Sequence, residues 1–332
     1  MKNRIKVLQI GMGPLGVKIS EFIAQRRGIM TTAVVDNNPD LVGRPLQDLN
    51  HKAHPELIIR ESVAKAIYIA KPDVAVLTTS STMEQIYPQI EEILKHRISV
   101  VSTCEELSYP WDCSPELASR IDELAKKQKV SVLGTGVNPG FLMDALPSFM
   151  TALNQDVESI KVKRYQNAAY RRRPFQQKIG AGLAPDEFEK RKNSGRLRHV
   201  GLTESIQFIA NSLGWELTKT TDEILPVLAE ADVQHDQIQI KSGKATGVRQ
   251  IGTGYIGDEQ KIKLEFQAAV GEQSSYDEIE IVGSPNIKSR IDGGVNGDIA
   301  TCAITVNAAR QILNAKPGLR TMADMPMISY FN

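Results

Sequence analysis

Residues Ile5–Ser20 read IKVLQIGMGPLGVKIS, and the parsing of that stretch decides the fold. Its first six residues are mostly Ile, Val and Leu, as suits a buried strand. They run into Gly11, Gly13 and Gly16, spaced G-x-G-x-x-G. From Pro14 onward Leu15, Ile19, Phe22 and Ile23 recur on one helical face, and Gly28 offers a stop. A glycine triplet alone is a weak signal. A strand before it and a helix after it make it a dinucleotide-binding loop. Gly11 permits the tight turn, Gly13 lets a pyrophosphate approach the backbone, and Gly16 lets helix and strand pack closely. The helix start adds unpaired N–H groups and a partial positive charge. Gly11, Met12, Gly13, Pro14, Leu15 and Gly16 are therefore candidate cofactor contacts. The plainer alternative is a strand-to-helix turn that binds nothing.

Asp36 closes the next apolar run, TTAVVD, 20 residues beyond Gly16. A carboxylate there accepts hydrogen bonds from an adenosine ribose and repels a 2′-phosphate. Asn37 and Asn38 follow, with no immediate Lys or Arg. The expected cofactor is NAD, with NADP tolerated.

Outward from the loop, DVAVLTT, SVVSTCE and SVLGTG repeat the short, continuous apolar pattern. Such runs fit strands buried on both faces of a parallel sheet. TMEQIYPQIEEILKHR and PELASRIDELAKKQK read as the helices between them. This alternation implies right-handed βαβ units and an α/β, doubly wound parallel sheet. Beyond Pro147 the texture changes. VESIKVKRYQNA, QIQIKSGKATGVRQIGTGYIG, KIKLEFQAAVG and YDEIEIVGSP alternate polar and apolar residues, the period of strands with one wet face. PDEFEKRKNS and LTESIQFIANSLGW read as helices. The expected division is residues 1–146 for dinucleotide binding, 147–296 as an α+β domain on a mainly antiparallel sheet, and 297–332 as a returning helix and tail. In that last segment Asp298 is the expected N-cap, and Ile299, Cys302, Ala303, Val306 and Ile312 form one stripe. Gly318 is the expected exit, and the helix should return to the first domain and shape the cleft between the two.

At 332 residues the chain can build two cores. Its net charge of +1 gives no electrostatic case for nucleic acid or an anionic membrane. No apolar run approaches the roughly 18 residues of a membrane span, and the first residues lack a signal-peptide layout. Cys104, Cys113 and Cys302 lack CxxC spacing, which argues for reduced thiols in a cytoplasmic protein without a metal site.

In a doubly wound sheet, ligands sit beyond the carboxyl ends of the strands. TTSST, Thr78–Thr82, and STCEE, Ser102–Glu106, both end there. Thr79, Ser80, Ser81, Thr103 and Cys104 are expected along the cofactor path. Glu105 and Glu106 are the candidate catalytic acids. As neighbours near a strand end they should diverge, one facing the cleft and the other capping a helix or meeting solvent. A carboxylate suits amine chemistry. It holds a substrate ammonium, takes its proton, stabilises an iminium and activates water. Other candidates are Asn138, for substrate or the nicotinamide amide, and Asn296 and Thr301, for the nicotinamide end or a helix cap. His199 and one of Arg171, Arg172 and Arg173 (Arg173 foremost) are candidates for the substrate, as are Tyr109 and Trp111 as pocket walls.

GMGPLG, LVGRPL, STCEELSYPW, GTGVNPGFLMDALP, RRPFQQKIGAGL, HVGLTES and GGVNGDIATCAITVNA together resemble the 2,4-diaminopentanoate dehydrogenase and native amine dehydrogenase family. Its first domain is of the dihydrodipicolinate reductase Rossmann type. The resemblance spans nearly the whole chain. It implies NAD(P)-dependent oxidative deamination of 2,4-diaminopentanoate to 2-amino-4-oxopentanoate and ammonia, and the reverse amination of ketones or aldehydes. It also implies a homodimer, no metal, and a catalytic carboxylate within Glu105–Glu106, with Glu105 favoured. The alternatives are a reductase of another small carbonyl or cyclic imine, and a non-catalytic dinucleotide sensor.

Overall fold

A computed structural model gives the architecture and describes residues 4–171, 173–195, 197, 200–235 and 238–332. The chain divides into two compact units, Met1–Phe141 with Asn296–Asn332, and Leu142–Val295.

The first unit begins with β1 (Ile5–Ile10), α1 (Pro14–Ala24), β2 (Ile29–Val35), β3 (Ile59–Arg60), α2 (Val63–Ala70) and β4 (Val74–Leu77). It continues with α3 (Met83–Lys95), β5 (Ser99–Ser102), α4 (Pro110–Cys113), α5 (Pro115–Gln128) and β6 (Ser131–Gly134).

The second unit holds α6 (Ala145–Met150), β7 (Asp156–Asn167), α7 (Arg173–Lys178), α8 (Pro185–Asn193), α9 (Leu202–Leu213) and β8 (Lys219–Leu228). Then come β9 (Val233–His235), β10 (Ile238–Ile240), β11 (Ala245–Ile256), β12 (Glu259–Ala269), β13 (Tyr276–Ser284) and β14 (Ile287–Asp292). Its main sheet runs β14-β13-β7-β12-β11-β8. Only the β7–β12 pair is parallel. α9 lies on one face, so close that a Cβ at Gly252 would come 2.8 Å from Ile206. The stretch from 237 to 257, read above as one strand, is two. β10 pairs antiparallel with β9, a tight turn at 241–244 intervenes, and β11 joins the main sheet. β8 was not anticipated, because KTTDEILPVL contains Pro226. It is an edge strand, where a missing N–H is tolerated.

The chain then re-enters the first unit with α10 (Gly297–Gln311) and β15 (Gly318–Arg320). The first sheet is wholly parallel, in the order β15-β6-β5-β4-β1-β2-β3. Strand order reverses at β1, the position where such sheets bind ligands. Alternate strand residues feed two cores. Leu8, Ala75, Leu77, Val100 and Val132 pack with residues of α2, α3 and α5. Val7, Val74, Val76, Val101 and Leu133 pack with Ile19 and Ile23 of α1 and Cys302, Val306 and Ala309 of α10. Burial on both faces explains the continuous apolar runs.

Two details differ from expectation. Gly318, expected as a helix exit, opens β15 at φ +127°. The N-cap of α10 is Asn296, not Asp298. Its Oδ1 accepts the Asp298 and Ile299 N–H groups at 3.0 and 3.1 Å. Asn296 has the extended backbone a cap needs, whereas Asp298 already lies inside the first turn. Among the described residues no helix is long and apolar enough to cross a membrane.

Candidate functional site

The glycine loop is held by its own backbone and by two side chains. Gly11 sits at φ +89°, and a Cβ there would meet the Thr78 carbonyl oxygen at 2.9 Å. A Cβ on Gly16 would lie 1.9 Å from the Gly11 carbonyl oxygen, so the loop closes only with glycine. Gly13 differs. Its φ of −63° and ψ of 178° suit any residue, and a Cβ would meet nothing within 4 Å. The protein's own packing therefore makes no demand for glycine at 13. Open space at the N-terminus of α1 is what a pyrophosphate requires, so the loop fits a dinucleotide. That Thr78, expected only at the strand end, and Gln9 brace the loop was not anticipated. Thr78 Oγ1 donates toward the Gly11 carbonyl at 2.9 Å, and fully buried Gln9 donates from Nε2 to that carbonyl at 3.1 Å. A lone Gln inside an apolar strand was the available clue.

Asp36 lies at the end of β2, half-buried, against this loop. Its Oδ2 accepts the Met12 N–H at 2.5 Å and its Oδ1 accepts the Asn38 N–H at 2.8 Å. A carboxylate offers about four lone-pair sites, so acceptor capacity remains for ribose hydroxyls.

At the β4 lip, Thr79 Oγ1 donates to Gln89 at 2.9 Å and Ser80 Oγ to Gln85 at 2.5 Å, both on α3. The Ser81 carbonyl accepts the Glu106 N–H at 3.3 Å. At the β5 lip, the Thr103 N–H donates to the Leu77 carbonyl at 3.1 Å. Cys104, expected on the cofactor path, turns its thiol into the core beside Leu107 at 1% exposure. Burial pushes that thiol's pKa well up, so only its backbone is left at the lip.

Glu105 and Glu106 lie past the strand end. Glu105 is helical and precedes a single turn, Glu106–Ser108. Side chains one residue apart on such a turn diverge by about 120°, so they separate for a helical reason rather than a strand one. Glu106 Oε2 accepts the Met83 N–H, the first of α3, at 2.7 Å. Thr82, the N-cap of α3, makes no side-chain cap. Glu106 is thus the cap, supplied from another element. The Glu105 carbonyl accepts from the Ser108 hydroxyl at 2.7 Å, which fixes the turn. Beyond it Tyr109 and Trp111 pack at 5.2 Å between ring centroids, and burial raises the Tyr109 pKa with help from Asp112.

The loop after β6 carries Asn138. The Val137 N–H donates to Thr301 Oγ1 at 3.2 Å, tying this loop to the first turn of α10. Asn138 is 8% exposed. Neither its Oδ1 nor its Nδ2 has a hydrogen-bond partner. A buried amide without partners calls for an explanation, and a donor–acceptor pair of that kind matches a carboxamide. Asn296, expected at the nicotinamide end, has its Oδ1 committed to the α10 cap. Among the described residues no group of three or more His, Cys, Asp or Glu is placed to hold a metal ion.

The 2,4-diaminopentanoate dehydrogenase C-terminal domain family matches residues 141–331. The 2,4-diaminopentanoate dehydrogenase of Acetoanaerobium sticklandii is 34% identical over 336 residues, covering 98% of this chain and 94% of its own. The chain belongs to the 2,4-diaminopentanoate dehydrogenase family. An amine dehydrogenase from Mycobacterium smegmatis superposes with a TM-score of 0.83 at 21% identity, over 99% of this chain and 98% of that one. A dipicolinate-bound dihydrodipicolinate reductase from Paenisporosarcina sp. TG-14 gives 0.53 at 16% identity, over 95% and 97%. At such identities the likeness is one of fold. The chain is thus an oxidoreductase with the fold of the dihydrodipicolinate reductase-like dehydrogenases.

Within the family's C-terminal domain, Arg173 opens α7 and is exposed. Arg171 donates to Gln166 Oε1 at 3.0 Å and stacks over Phe175 at 4.0 Å. Arg172 and His199 lie outside the described residues. Sequence reasoning missed Arg164, 2% exposed on β7. It pairs with Asp277 at 2.8 Å and donates to the Val295 carbonyl at 2.8 Å. Asp277 Oδ2 accepts the Val295 N–H at 2.7 Å, and Gln166 donates to the same carbonyl at 2.7 Å. The clue was the period of two. Ile160, Val162, Arg164 and Gln166 share the buried face of β7.

Proposed function

We propose that this chain catalyses the NAD-dependent oxidative deamination of 2,4-diaminopentanoate to 2-amino-4-oxopentanoate and ammonia, and the reverse reductive amination of a ketone or aldehyde. Family membership supports a dehydrogenase that uses a nicotinamide dinucleotide on an amine. One observation carries the residue assignment. Glu106 caps α3 through its first N–H, a structural role, and the family resemblance, which favours Glu105, gives Glu105 the catalytic one.

Gly11–Gly16 would hold the pyrophosphate and Asp36 the adenosine ribose, with Thr79, Ser80, Ser81, Thr103 and Thr301 along the path to the nicotinamide. The dinucleotide, when bound, supplies the hydride acceptor. Glu105 holds the substrate ammonium and takes a proton from it. Once it has released that proton to solvent, the restored carboxylate steadies the iminium and accepts a proton from the water that attacks the carbon; it passes this proton to the nitrogen, which leaves as ammonia as the new hydroxyl gives up its proton to form the ketone. Asn138 is assigned to substrate or to the nicotinamide carboxamide, and Tyr109 to a pocket wall. Arg173 is the candidate clamp for a substrate carboxylate, where a guanidinium's paired donors suit best. His199 stays a substrate-side candidate. The protein is read as a cytoplasmic homodimer whose partners are small molecules.

NADH absorbance tests the reading. With a panel of short ketones, oxidation should require ammonium. Ammonium-independent oxidation would mean a carbonyl or cyclic-imine reductase, and none across the panel would mean a dinucleotide sensor; either result removes the proposal. Cofactor choice has its own test. Asp36→Ser removes the charge opposing a 2′-phosphate, so the NADP-to-NAD ratio of kcat/KM should rise at least about tenfold, ~1.4 kcal/mol. An unchanged ratio would show that Asp36 does not set the preference.

A further inference from the structure

A cavity of about 190 Å³ opens at the end of the first sheet away from the glycine loop. It is lined where β2 begins, by Ile29, Met30 and Thr31, and where α1 ends, by Ile23, Ala24 and Arg26. Thr31 and Asp36 are five residues apart on an extended strand, ~16 Å at about 3.3 Å per residue. The cavity is thus remote from the glycine loop.

Its charge is one-sided. Three cations, Arg4, Arg26 and Lys52, line it, and among the described residues no carboxylate does. The whole chain has 40 Lys and Arg against 39 Asp and Glu, so composition does not explain the imbalance. Among the described residues, Arg4, Arg26 and Lys52 enter no ion pair. Arg26 is fixed in place. It donates to Asn307 at 2.6 Å and lies over the Tyr330 and Phe331 rings at 4.7 and 5.1 Å. Two buried polar residues, Ser20 and Asn50, meet at the wall at 3.1 Å. Thr31 also lines it, and its buried Oγ1 has no hydrogen-bond partner. Gathered cations with no acid among them suit a phosphate-type oxyanion, which accepts several charge-assisted hydrogen bonds at once. The volume admits a phosphate group with a small organic substituent and is below the roughly 300 Å³ of larger ligand pockets.

We propose that this cavity is a binding site for a phosphate group, free or as a small monoester, separate from the dinucleotide site. Titration calorimetry on the intact protein tests it, with inorganic phosphate and glycerol phosphate as probes against chloride matched in ionic strength. Binding should be saturable, and Arg4→Gln with Lys52→Gln should weaken it at least tenfold. Both residues are exposed, so the fold should survive, and NADH titration of the same variant should give an unchanged Kd. Tighter binding of glycerol phosphate than of phosphate would identify a monoester as the occupant, and the reverse order would identify the free ion. No heat beyond the chloride control would overturn the site. So would equal binding by the variant, or displacement of the anion by NADH, which would place it in the glycine loop.

Discussion

Glu105→Gln should lower turnover at least about a hundredfold, the usual contribution of a general acid–base group, while NADH still binds. A glutamine keeps the size and the acceptor oxygen but cannot take a proton from an ammonium or a water. Glu106→Ala should behave in the opposite way. Its carboxylate caps α3 through the Met83 N–H, so its loss should cost about 1 kcal/mol of stability and change turnover far less. Steady-state kinetics, NADH fluorescence titration and thermal unfolding of the two variants separate the roles. If the Glu106 variant loses turnover and Glu105→Gln stays near normal, the assignment is reversed. If both stay near normal, the amine chemistry has no acid–base group at this lip.

The other large effect is one of stability. Arg164→Ala should cost about 3–5 kcal/mol, because it strands Asp277 as a buried, unpaired charge. Burial lowers the Arg164 pKa to about 10 and raises that of Asp277, each toward its neutral form. Desolvation therefore outweighs the attraction within the pair. A pair of that kind is a poor source of stability, and its use here is positional. It grips both polar groups of Val295, where the second unit ends. Arg164→Met with Asp277→Leu should consequently lose less than the sum of the two single variants, by at least ~1 kcal/mol of coupling. Chemical denaturation of the four proteins completes the cycle. Additive losses would show that the two side chains act independently.

Much of the fold was legible because its strongest signals are local. The glycine spacing in Ile5–Ser20 and the doubly buried strands needed only neighbouring residues. β3 and β15 escaped because two or three residues cannot display a period. β8 escaped because Pro226 is excluded from a central strand but not from an edge, and edge status depends on the whole sheet. The site divides in the same way. Gly11–Gly16 and Asp36 are close in sequence and were named. The expectation that one of the two acids caps a helix anticipated its kind of role, but not that Glu106 reaches α3, 23 residues back in the chain. Cys104 was expected along the cofactor path, yet its thiol is buried in the core with Leu107. Thr78 and Arg164 act through partners 67 and 113 residues away, which no motif encodes.

The first unit is made from both ends of the chain, and this has a consequence for biosynthesis. While residues up to Phe141 leave the ribosome, Val7, Val74, Val76, Val101 and Leu133 have no α10 to cover them. The edge of β6 likewise waits for β15. The intervening residues, Leu142–Val295, are continuous and can collapse first. The nascent nucleotide-binding half thus carries a bare apolar surface and an open strand edge until α10 and β15 have been made, and in that interval chaperones have the most to do.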